Sequence, residues 1–434
     1  MPKPKLPRQI GKFSALMIGL GSIIGTGAFV SIGIAAGISE RYLLISIFFA
    51  FLLALCNGIS SAQLAANHPV SGGTYEYGRK YINNFFGFIS GWVFVFAKCA
   101  SAAAASLTFG GYLTSALGLK EELLPVLFAL IIILLISVIL LYGIKKTTLV
   151  NNIIVFMSLG ALLIFIVLGA LTFILMKNDL TTFNTEKVFS NEEIFKNVLY
   201  STAVMFVAFT GYGRIATLGE EVVEPRKNIP KVIFITLFVA FILYSLIALI
   251  STKLIGYTQF STAATREIAP LIAVSEKFIF KSSTWIVAAG AFFAITGVLL
   301  NLLLGISRVI FAMGRNGDLP GFLSRVSPKR RTPVYSILAS SFIIGIFVFL
   351  SDIKTTWSFS AFTVLIYYGI TNLAALRLSK KERFYPKSIS TIGLFFCFLI
   401  AFYIEFDVVK KGLILLAAGI IFFVVKTKTK KHLR

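Results

Sequence analysis

The chain has 434 residues, 57% of them hydrophobic, a mean hydropathy of +0.89 and a formal net charge of +23. Apolar runs long enough to cross a ~30 Å hydrocarbon core recur along its length, which excludes an ordinary soluble domain. The charge at first suggests nucleic acid, but it sits in short segments beside apolar runs, where anionic lipid is the better partner.

Twelve spans are expected, at about 13–37, 42–66, 85–116, 123–143, 149–176, 195–219, 231–251, 283–313, 333–350, 356–376, 389–404 and 412–425. The fold class is therefore an all-α integral membrane protein with about 12 transmembrane helices. Residues 1–12 form a basic N-terminus, 13–378 a core of ten spans, 389–425 two accessory spans and 426–434 a basic tail. Lysine and arginine crowd the N-terminus, the tail and the even-numbered loops, as in Lys145-Lys146 and Lys329-Arg330-Arg331. By the positive-inside rule both termini face the cytoplasm, in a multi-pass protein of the cell membrane. The first apolar segment is too long for a signal peptide. Cys56, Cys99 and Cys397 lie in apolar runs and read as packing residues, not as a disulfide or a metal site. His68 and His432 fall in basic segments, which leaves little material for histidine chemistry.

Span 1 holds Gly21-Ser22-Ile23-Ile24-Gly25-Thr26-Gly27 at its centre. Each interior glycine costs about 1 kcal/mol of helix propensity. An unwound turn in hydrocarbon also frees backbone groups that need partners, so such a break is tolerable where it lines a cavity and binds something. Span 2 ends in the turn Pro69-Val70-Ser71-Gly72-Gly73, which reads either as a plain loop or as a closure of the inner side. Span 3 carries Lys98 near its middle, followed by Ala100 to Ser106, small residues that let another helix approach. A mid-membrane lysine is a functional candidate, against snorkelling or a structural pair. Span 4 looks lipid-facing. Ser158 in span 5 reads as a back-bonded hydroxyl.

Span 6 is interrupted at Phe209-Thr210-Gly211-Tyr212-Gly213, with Arg214 beside the break. The Glu220-Glu221 run that follows reads as a solvated loop. Short helices in the loop 252–282 are expected to cover an outer vestibule. Span 8 contains Thr296, Asn301 and Ser307, and Arg308 near its end can snorkel. In span 10, Ser358, Ser360, Thr363 and Tyr367-Tyr368 suggest a face toward a cavity.

The two breaks lie five spans apart on helices that cross in opposite senses, the arrangement of an inverted 5+5 repeat with a site at the midplane. A split helix offers free N–H groups, here near Gly25, Thr26 and Gly27, which suit a carboxylate. It also offers free carbonyls, near Ile23 and, around Phe209, at Val207, Ala208 and Thr210, which suit an ammonium or a metal cation. A zwitterion satisfies both.

Four stretches in order carry a resemblance. They are Gly25-Thr26-Gly27, Pro69 to Tyr75, Gly219-Glu220-Glu221 through Glu224 to Pro230, and Ser307-Arg308 through Ala312-Met313-Gly314-Arg315-Asn316-Gly317. Over roughly residues 10 to 378 the chain resembles the amino acid–polyamine–organocation (APC) superfamily. The resemblance implies a LeuT-like fold with broken helices 1 and 6, alternating access, and secondary transport of amino acids bound at the two breaks. Several proton-coupled relatives carry a lysine in span 5 where Ser158 stands, an acid near Gly213, and a glutamate at Gln63. With those absent, the coupling candidates are Lys98 for H+, or Ser158 with Thr296 as oxygen ligands for Na+. No other cofactor is expected.

The expected function is a cation symporter or exchanger for amino acids. No acidic residue sits at mid-membrane depth, so neutral amino acids are preferred over cationic ones. Arg214 and Lys98 keep acidic amino acids open, and amines are a further alternative. A receptor that binds an amino acid without carrying it and an ion channel are the competing classes. Without a metal-ligand cluster or a nucleophile beside a base, an enzyme is not expected. The partners are the substrate and the bilayer, not nucleic acid.

Overall fold

Hydrocarbon leaves backbone groups no partner except one another, and the apolar runs accordingly close into helices. The computed structural model describes residues 6–25, 27–119, 121, 123–176, 190–266, 270–280, 282–350 and 353–432. Helix α1 spans Lys12–Ile23, a π-helical turn Gly27–Ser31 follows, and α2 runs Ile32–Ser39. Glu40, with φ 44°, and the 3-10 turn Glu40–Tyr42 lead into α3, Leu43–Asn67. Next come α4 (Thr74–Tyr81), α5 (Asn84–Ala116), α6 (Leu124–Leu141), α7 (Ile144–Leu175) and α8 (Asn191–Phe209). A 3-10 turn, Thr210–Tyr212, joins α8 to α9 (Gly213–Thr217). The remainder is α10 (Pro225–Arg266), α11 (Pro270–Ser275), α12 (Ser283–Arg315), α13 (Val334–Leu350), α14 (Ile353–Leu376), α15 (Lys387–Ala401) and α16 (Phe406–His432).

Among the described residues, nine segments are long and apolar enough to cross a membrane. The first, Lys12–Asn67, contains two of the expected spans, and Val334–Phe349 and Lys387–Ala401 are shorter apolar helices. All twelve expected apolar segments are thus helical. Leu134, Leu135 and Val138 on α6 are exposed, consistent with a lipid-facing span 4, while Ser137 turns inward to Ser341, 2.6 Å away.

The first and sixth spans run antiparallel in direct contact. At one end Ile10 pairs with Val222, and Gln9 and Ile10 donate to the Glu221 carbonyl. At the other, the Ser39 hydroxyl donates to Ser201 at 3.0 Å. We call the first the basic end. At the opposite end Gly256, with φ 77°, turns α10 back on itself. Residues 257–266 then press on α2, where Cβ atoms at Gly33 and Gly37 would overlap Ala264 and Ser261. The expected helices of the 252–282 loop therefore exist and lie on the first span.

Candidate functional site

The first break is real and short. Ile24 donates to Leu20, its ψ of 84° leaves the helix, Gly25 donates to the Ile23 carbonyl at 3.0 Å, and Phe29 donates to Gly25. Thr26 lies outside the described residues. The glycines serve close approach. A Cβ at Gly25 would overlap Val298 on α12, and one at Gly27 would overlap the Tyr244 hydroxyl on α10 and stand 3.0 Å from the Ala208 Cβ.

The second interruption is narrower than expected. It is a 3-10 tightening and not an unwound stretch: Thr210 and Gly213 keep helical dihedrals, and the Thr210 N–H donates to the Val207 carbonyl. Gly211 is needed because the Ser22 backbone and the Ile23 side chain lie against it, 2.5 Å from where a Cβ would stand. The two interruptions therefore touch each other.

The carbonyls expected to be free already accept bonds from the protein. The Tyr244 hydroxyl lies 2.7 Å from the Ile23 oxygen and 3.2 Å from the Ala208 oxygen, so one phenol links both helices. The Thr210 hydroxyl donates to Val207 at 2.8 Å, and Tyr368 donates to the Thr210 carbonyl at 3.1 Å. Partners are recruited because an unpaired buried carbonyl is costly, and the Ile23, Val207 and Thr210 oxygens each accept from two donors. Phe209 is fully buried, its ring edge-on to Tyr244 at 5.0 Å, and it supports the site from behind.

A cavity of about 30 Å³ lies where the interruptions meet. Ser22, Ile23, Gly27, Val207, Ala208 and Thr210 line it from the two helices, with Gly211 between them. Val298 and Leu302 complete the apolar side, and Ser101, Lys98 and Arg214 reach the cavity as well. Lys98 Nζ donates to the Thr210 hydroxyl at 3.3 Å, tying α5 to the second interruption. Ser158 and Thr296 do not line this cavity. Each donates to its own helix, to Val155 at 3.1 Å and to Phe292 at 2.7 Å. Gln63 accepts from Phe384 and Tyr385 and pins the α14–α15 connection.

Tyr244 and Tyr368 are the site residues that sequence reasoning did not select. The Tyr367-Tyr368 pair carried a signal, a polar face on a buried span. Tyr244 stood in an apolar run with none.

The basic end corrects two readings. Glu220 and Glu221 are buried, not a solvated loop, and Arg308 does not snorkel. Arg308 donates to Glu221 from Nε at 2.8 Å and from Nη2 at 3.1 Å. Glu220 accepts from Arg315 at 2.9 Å and from the Leu6 and Ser71 N–H groups. Burial pushes the Glu220 carboxyl up, but Arg315 and these N–H groups prevail and hold it below its ordinary value. Asp318 pairs with Arg79 at 2.7 Å and with Lys426 of α16 at 2.6 Å. Above α9, Ser71 bridges Leu218 and Thr74 donates to Tyr367, so the 68–84 stretch caps this end.

The amino acid permease family matches residues 14–431. The chain belongs to that family. A transporter of Mycobacterium tuberculosis (strain H37Rv) is 34% identical over 96% of this chain and 90% of its own length. A branched-chain amino acid permease of Bacillus subtilis is 28% identical over 98% of this chain and 94% of its own. A vacuolar cationic amino acid transporter of Arabidopsis thaliana is 26% identical over 80% of this chain and 59% of its own. Family membership makes this chain a multi-pass membrane permease for amino acids, with the APC superfamily resemblance confirmed.

Proposed function

We propose that the permease is a secondary active amino acid carrier that works by alternating access, built as a LeuT-like inverted repeat with its basic end in the cytoplasm. One observation carries the reading: two interrupted, antiparallel helices meet at a cavity, with Tyr244 joining Ile23 to Ala208 across them. The backbone N–H groups at Gly25 and Gly27 take the substrate carboxylate, the first once it leaves the Ile23 carbonyl. The Ile23, Val207, Ala208 and Thr210 carbonyls take the ammonium when the helices part and the Tyr244, Thr210 and Tyr368 hydroxyls that now donate to them turn away.

A cavity of about 30 Å³ has the volume of a single water. An amino acid therefore enters only when the helices part. The 257–266 segment covers the site from one end, and the 68–84 stretch with the Arg308–Glu221 pair covers it from the other. Opening one cover at a time is alternating access. Lys98 is the favoured coupling group, because its bond to Thr210 joins a titratable amine to the binding backbone. Na+ held by Ser158 and Thr296 is the less favoured route, since neither lines the cavity. No carboxylate lines it among the described residues, so a cationic side chain finds no counter-ion.

The test is uptake of labelled amino acids into proteoliposomes under separate pH and Na+ gradients. Saturable, stereoselective and gradient-driven accumulation is expected. Binding with no uptake or counterflow under any gradient would sink the carrier reading in favour of a receptor, and ionic current without saturation would favour a channel.

A further inference from the structure

Among the described residues the cavity is lined by two basic side chains, Lys98 and Arg214, and by no carboxylate. Lys98 is 7% exposed and Arg214 4% exposed, and neither forms an ion pair among the described residues. Lys98 has the Thr210 hydroxyl at 3.3 Å. Arg214 Nε and Nη1 are buried with no hydrogen-bond partner. The contrast is Arg308, equally buried, whose guanidinium meets Glu221 through two bonds. A buried cation normally has such a partner, because desolvation is otherwise uncompensated.

Arg214 is also held in place. Its guanidinium lies 5.7 Å from the Phe94 ring centre, and it rests on Gly305 of α12, where a Cβ would overlap Nη1. The side chain therefore cannot snorkel to an interface without giving up its seat. Like charges lining one small cavity repel each other, and an anion between them removes that repulsion. The zwitterionic part of an amino acid is neutral and is matched by the helix breaks, so the compensating charge must come from the side chain.

We propose that the permease takes an amino acid with an acidic side chain, of the aspartate or glutamate class, whose second carboxylate is received by Arg214 and Lys98. This rests on the carrier reading above and replaces the preference for neutral substrates. The guanidinium supplies directional donors and the ammonium a compact charge. Gly305 leaves room for the guanidinium beside the substrate.

The test uses the full chain in proteoliposomes, with labelled L-glutamate, L-aspartate, L-glutamine and L-leucine in uptake and counterflow, with and without chloride. Glutamate or aspartate is expected to be preferred over glutamine by at least about tenfold in apparent affinity, the scale of a lost charge-assisted contact. Arg214→Gln should erase or reverse that ratio, and Arg214→Lys should keep part of it. Should Arg214→Gln fail to fold, the wild-type glutamate-to-glutamine ratio decides alone. Glutamine or leucine carried as well as glutamate would overturn the inference and leave the carrier intact. Chloride-dependent uptake of neutral substrates would likewise overturn it, assigning the cations to an inorganic anion. No transport of any amino acid would overturn the carrier reading and this inference with it.

Discussion

Arg308 on α12 and Glu221 beyond α9 form a two-pronged ion pair, 2.8 and 3.1 Å, with side-chain exposures of 1% and 0%. It ties the end of the sixth span to the eighth at the basic end. Removing one partner strands the other charge. Arg308→Met or Glu221→Gln should destabilise the protein by about 3–5 kcal/mol, and the double change Arg308→Met with Glu221→Leu by much less. Unfolding in detergent measures this. A double variant as unstable as the worse single one would show that the ion pair itself is the stabilising element.

Gly25 faces Val298 with no space for a methyl group. Gly25→Ala should reduce uptake at least tenfold while the protein still elutes as one species. Adding Val298→Ala, which removes the overlapping atoms, should restore much of it. If Gly25→Ala transports normally, the close approach of α1 to α12 is not needed for the cycle.

Tyr244→Phe deletes the hydroxyl shared by Ile23 and Ala208 but keeps the ring against Phe209. Two buried carbonyls lose a donor, at about 1–3 kcal/mol. Apparent substrate affinity should shift by tenfold or more, because the phenol that links the two helices at these carbonyls is gone. Unchanged affinity and unchanged stability in the same preparation would remove Tyr244 from the site.

Lys98→Met removes the only amine bonded to the second interruption among the described residues. Exchange of internal for external substrate should persist in part, while accumulation driven by a pH gradient should be lost. Full proton-driven accumulation in this variant would move coupling elsewhere.

The Glu220 carboxyl is held below its ordinary value of 4.5 by Arg315 and two backbone donors. A group with a lowered folded pKa contributes stability that is complete above its unfolded value and is lost as pH falls through the folded one. The basic end should therefore loosen below about pH 4.5. Glu220→Gln should flatten that acid-dependent loss in thermal unfolding, and a variant that retains the full loss would place it in another carboxylate.

Helix content, the twelve apolar segments and the first break were legible in the sequence because each is local. Apolar length sets a span, and three glycines in seven residues mark a stretch where backbones approach. Arg308 and the Glu220-Glu221 pair were misjudged because spacing along a chain does not show that residues 87 positions apart will meet as Nε and carboxylate. The second break was overestimated for a related reason. Gly211 signals close approach, but whether the helix unwinds or merely tightens depends on what approaches, here the Ser22 backbone and the Ile23 side chain.

The sequence by itself determined a bundle of membrane-spanning helices with a glycine-marked break in the first, since hydrophobic length and glycine cost act on each segment alone. Only the tertiary structure decided which hydroxyls satisfy the broken backbone, which carboxylates are consumed by Arg308 and Arg315, and that Arg214 and Lys98 are left facing one cavity. Pairing is a property of distance in space, and in a low-dielectric interior the cost of a missing partner makes that distance decisive.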